Sequence, residues 1–91
     1  MQIETRNGVL LLGGDITVRT LNDSDLRQFE RACADAAVTQ LDLSGVERAD
    51  SACLALLLIA QRREQPLSFL SVPASVRALA ELYEINDWIS T

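Results

Sequence analysis

The chain has 91 residues, 48% of them apolar, with a formal charge of −5 and a pI near 4.5. This length and composition predict one domain over residues 1–91 with a real hydrophobic core. The eight basic residues are all arginine and are scattered, and the chain has no lysine or histidine. That excludes a histidine general base, a zinc site of the H-E-x-x-H type, a Schiff-base lysine and a phosphate-loop lysine, and it leaves no basic stripe for nucleic acid.

Cys33 and Cys53 stand twenty positions apart among apolar residues, with no C-x-x-C pair. Buried free thiols are expected, and neither a metal site nor a bound cofactor. The opening MQIETRNG has no apolar signal core, and the longest apolar run, residues 52–60, is too short to span a bilayer. A soluble cytoplasmic protein without membrane insertion is the expectation.

Residues 2–6 suit an edge strand. Asn7-Gly8 is a strong hairpin signal because both positions tolerate positive φ. Residues 9–12 form an apolar run of strand length, which Gly13-Gly14 is expected to break. A first helix starts between Thr20 and Ser24, where several caps compete. Leu26, Phe29, Cys33 and Ala37 form its apolar stripe. A strand at residues 41–43 and a loop from Gly45 to Asp50 then lead to a helix beginning near Ser51. That helix becomes polar only at Gln61, and Pro66 ends it. Residues 67–70 read as the fourth strand. Pro73 suits the first turn of another helix, with Val76, Leu79, Ala80 and Tyr83 on one face. Ile85, Trp88 and Ile89 read as a last turn over the core edge. The sum is a small mixed-sheet α/β domain, an antiparallel hairpin followed by right-handed parallel βαβ units, with three to four helices.

Partners of such sheets gather where loops leave the C-terminal ends of strands. Function is therefore expected around Ser51, at the point of the strand–loop–helix corner. One reading makes Ser51 an N-cap. The other makes it a phosphorylation site, where the phosphate would meet unpaired N–H groups at the positive end of the helix. Any surface left open near Ala52, Cys53 and Leu56 would dock a partner. Cys53 as a nucleophile would need a basic neighbour, and only Arg48 is near in sequence.

The stretch LDLSGVERADSACLALLLIA, the later SFLSVPASVRALAELY, the hairpin start and GGDITVRT together resemble STAS domains, shared by sulfate-transporter tails and bacterial anti-sigma-factor antagonists. The resemblance implies a non-enzymatic switch that binds a kinase, anti-sigma factor or other ATPase. Its site would comprise Ser44, Gly45, Asp50, Ser51, Ala52, Cys53 and Leu56, with Ser51 matching the phosphorylated serine of antagonist members. Those members often read Asp-Ser-Ser-Gly or Asp-Ser-Ala-Gly, whereas this chain has Cys53 in place of the glycine. Two other branches are similar: STAS proteins of chemotaxis and histidine-kinase clusters, and the STAS subunit of the phospholipid-trafficking ABC transporter. RALAELYEINDWI is similar to the closing helix of that subunit. The free edge of the first strand and the apolar helix could each serve a homodimer, and the sequence leaves the oligomeric state open.

Overall fold

The computed structural model describes residues 1–83. Strands β1 (Gln2–Arg6) and β2 (Val9–Ile16) form the expected antiparallel hairpin. Asn7 and Gly8 turn it with φ of 51° and 80°, the left-handed pair that a two-residue connection needs to match strand twist. β3 (Gln40–Ala49) pairs parallel with β2, and β4 (Ser68–Leu70) pairs parallel with β3. The sheet order is β1-β2-β3-β4. Helix α1 (Asp23–Ala34) makes the crossover from β2 to β3, α2 (Ser51–Gln61) makes that from β3 to β4, and α3 (Ala74–Leu82) follows β4. The expected mixed α/β architecture is present.

Strand alternation builds the core. Leu10, Leu12 and Ile16 of β2 and Leu41, Leu43 and Val46 of β3 are buried. They form one cluster with Phe29 and Cys33 of α1, Leu56, Leu57 and Ala60 of α2, Phe69 of β4, and Val76 and Ala80 of α3. Leu11 and Asp42, between them in sequence, point to the other face of the sheet and are only half-buried.

Two expected breaks in the strands do not occur. β2 runs through Gly13-Gly14 to Ile16, and β3 runs through residues 45–49 where a loop was expected. The two strands keep pairing because β3 absorbs extra residues as bulges. Leu11 pairs with Asp42 but Gly13 with Gly45, and Gly14 pairs with Val46 but Asp15 with Arg48.

Smaller corrections concern helix ends. Asn22 is the N-cap of α1, its side chain accepting from Asp25 N at 2.8 Å. α1 stops at Ala34, so Ala37 lies beyond it and is exposed. Pro73 is the N-cap of α3 rather than part of its first turn. Ile85, Trp88 and Ile89 lie outside the described residues. Among the described residues, no helix is long and apolar enough to cross a membrane.

Candidate functional site: the β3–α2 corner

The corner is organised by Asp50. Its backbone is extended, and its N–H donates to Ile16 O at 3.3 Å, continuing the β2–β3 pairing past Ala49. One carboxylate oxygen, Oδ1, accepts from Ala52 N at 2.8 Å. The other, Oδ2, accepts from Val18 N at 3.1 Å. The carbonyl oxygen of Asp50 accepts from Cys53 N at 3.0 Å. Asp50 is therefore the N-cap, and Ser51 is the first helical residue, exposed and not needed for the cap.

This changes the electrostatics expected at Ser51. The N–H groups of Ala52 and Cys53, which a phosphate was expected to meet, are already paired with Asp50. The Asp50 carboxylate also already complements the positive end of the helix.

The apolar helix is divided by burial. Ala52 is 8% exposed, while Cys53 and Leu56 are fully buried, so these three belong to the core and form no open patch. The accessible edge of α2 is instead Ser51 and Ala55, followed by half-buried Leu58 and Ile59 and exposed Arg62 at the C-cap. Steps of four, four and three from Ser51 reach Ala55, Ile59 and Arg62, which is one helical face. That spacing was present in the sequence but hidden, because Ala55 and Ile59 look no different from their buried neighbours.

Ser44 and Gly45 are not at the corner. They lie earlier in β3, at the first bulge, and line a groove with Gln2, Glu4, Leu11 and Gly13 beside the hairpin. Ser44 N donates to Asp42 Oδ1 at 2.8 Å, so the bulge is closed locally. Of the residues expected to form one site, only Asp50 and Ser51 stand together on the accessible corner.

None of the residues expected to form the site lies in the β2–α1 loop, yet the loop is closely tied. Thr20 Oγ1 accepts from Thr17 N at 3.0 Å and donates to Asp15 O at 2.9 Å, and Leu21 N donates to Thr17 O at 2.9 Å. Val18 sits in this tied loop, 68% exposed.

The thiols are poorly suited to nucleophilic chemistry. Burial pushes Cys53 up to about 11, and the negative charge of Asp50 adds to the effect. Burial likewise pushes Cys33 up to about 11, against the opposing pull of the Arg63 guanidinium. The thiolate is the reactive form, so both are inert at neutral pH. Among the described residues, no group of three or more Cys, Asp or Glu side chains is placed to hold a metal ion.

A protein-family model described as "Mlab, STAS domain" matches residues 1–90. No curated protein matches the chain.

Proposed function

The chain belongs to the STAS domain family, and from that premise we propose that it is a cytoplasmic, non-enzymatic docking subunit for a protein ATPase, of the kind found in phospholipid-trafficking ABC transporters. As a STAS domain the chain is a regulatory or interaction module. The docking surface is the β3–α2 corner, with Ser51 and Ala55 at its centre.

The observation that carries this reading is the filled cap. Asp50 pairs the N–H groups of Ala52 and Cys53, so Ser51 is presented as a surface contact with no seat prepared for a phosphate. The partner class rests on the similarity of RALAELYEINDWI to the closing helix of the transporter subunit, and the description of the matched family accords with it.

A second reading is the antagonist-type switch, in which a partner kinase phosphorylates Ser51. The exposure of Ser51 directly after Asp50 favours it. A phosphate would add about −1.5 to −2 charges beside that carboxylate and repel a partner by charge.

The two readings separate in protein purified from its own cells. The docking reading predicts an ABC-type ATPase in stoichiometric amount with wild type and with Ser51→Ala, and no phosphate on Ser51 by intact-mass measurement. A phosphorylated fraction, together with partner capture lost in Ser51→Asp and kept in Ser51→Ala, establishes the switch instead.

A further inference from the structure

We propose that the free edge of β1 pairs antiparallel with β1 of a second copy of this chain, Thr5 facing Thr5 across the two-fold axis, so that two four-stranded sheets join into one. β2 separates this edge from β3, and the pairing holds whatever docks at the β3–α2 corner.

Among the described residues β1 ends the sheet, and no strand pairs with its outer edge. All of its residues but Ile3 are exposed. The hairpin decides which backbone groups stand open. Arg6 and Val9 flank the two-residue turn and are bonded across it. Bonded pairs alternate along an antiparallel ladder, so Arg6, Glu4 and Gln2 turn their N–H and C=O groups toward β2. Ile3 and Thr5 turn theirs outward, where they form a template for another strand.

The side chains choose the partner and its register. A two-fold register that uses the outward groups is centred on Ile3, on Glu4 or on Thr5. Glu4 and Arg6 stand two positions apart on one face of β1, both exposed. Centring on Ile3 sets Glu4 against Gln2 and leaves Arg6 without a partner. Centring on Glu4 sets two carboxylates against each other. Centring on Thr5 sets Glu4 of each copy against Arg6 of the other, in a non-hydrogen-bonded pair, where side chains lie closest. An edge guarded by charge of one sign repels its own copy. The opposite signs of Glu4 and Arg6 do the reverse in this register. Within one chain the two groups already pair with each other. The charges therefore select the register, and the outward backbone bonds hold the strands. A pair of five-residue strands makes a small interface, so the dimer is expected to be weak and concentration-dependent.

Sedimentation equilibrium of the full chain at rising concentration tests this, with circular dichroism to check each fold. Wild type is expected to pass from monomer to dimer. Glu4→Arg and Arg6→Glu each set like charges opposite one another, and each is expected to weaken dimerisation about tenfold. The double variant, Glu4→Arg with Arg6→Glu, keeps opposite signs in the same register and is expected to restore the wild-type equilibrium. Thr5→Pro removes an outward N–H that the monomer does not use, and is expected to abolish the dimer while keeping the fold. The pairing is overturned by a wild type that stays monomeric up to about 1 mM, by single charge variants that dimerise as tightly as wild type, or by a double variant that regains nothing.

Discussion

Gly13 and Gly45 face each other in the parallel pairing of β2 and β3, next to the first bulge. A Cβ on Gly45 would lie 3.0 Å from Leu12 O and 3.2 Å from Gly13 Cα. Both obstacles are backbone of the neighbouring strand, so neither can swing aside. Gly45→Ala is expected to lower stability by about 1–3 kcal/mol, read as a lower urea midpoint with unchanged slope.

That pair also explains why part of the fold was legible and part was not. Local chemistry announced the hairpin at Asn7-Gly8, and Asp50-Ser51 announced a helix start. The period of apolar residues placed α1 and α3, and the uninterrupted apolar run after Ser51 placed α2. The extents of β2 and β3 failed for the opposite reason. Glycines and a polar stretch read as breaks when each strand is taken alone, yet here the glycines let two strands approach and the polar residues sit in bulges. The candidate site suffered from the same blindness to distant partners. Nothing in the sequence links Asp50 to Val18, and an unbroken apolar helix does not reveal that Ala55 is outside while Leu56 is inside.

Ala55 and Leu56 therefore make a discriminating pair. Leu56 is fully buried, and Leu56→Ala is expected to cost about 2–5 kcal/mol through the cavity it leaves. Ala55 is exposed, and Ala55→Arg is expected to change stability by less than about 0.5 kcal/mol. Thermal denaturation of the two variants measures the contrast.

Arg63 fastens the end of α2 to the turn after α1. Its Nη1 donates to Val38 O at 2.6 Å and its Nη2 to Asp35 O at 3.2 Å. Arg63→Ala is expected to cost about 1–3 kcal/mol, since each bond has a charged donor and the Val38 carbonyl loses its partner. Arg63→Lys can restore one bond but not the fork, and is expected to recover part of the loss in the same denaturation assay.

The buried thiols make the fold sensitive to alkali. Each ordinarily ionises near 9.0, and in the folded chain near about 11. The fold thus favours the neutral thiol. That contribution is fully present below the unfolded value and is lost as pH rises through the folded one, because the unfolded chain gives up its proton first. Cys53 is expected to account for about 2–3 kcal/mol of lost stability across that window, and Cys33, nearer the solvent, for less. Urea unfolding measured over the same range checks this, and Cys53→Ala is expected to flatten the curve.

The most direct test of the account is co-purification of the tagged full chain from its own cells, wild type against Ala55→Arg. Ala55 lies on the exposed edge of α2 and away from the core, so the variant reports on docking rather than folding. The account predicts an ABC-type ATPase in stoichiometric amount with wild type and its loss with Ala55→Arg. Equal recovery with both proteins, or no ATPase with wild type, would contradict it.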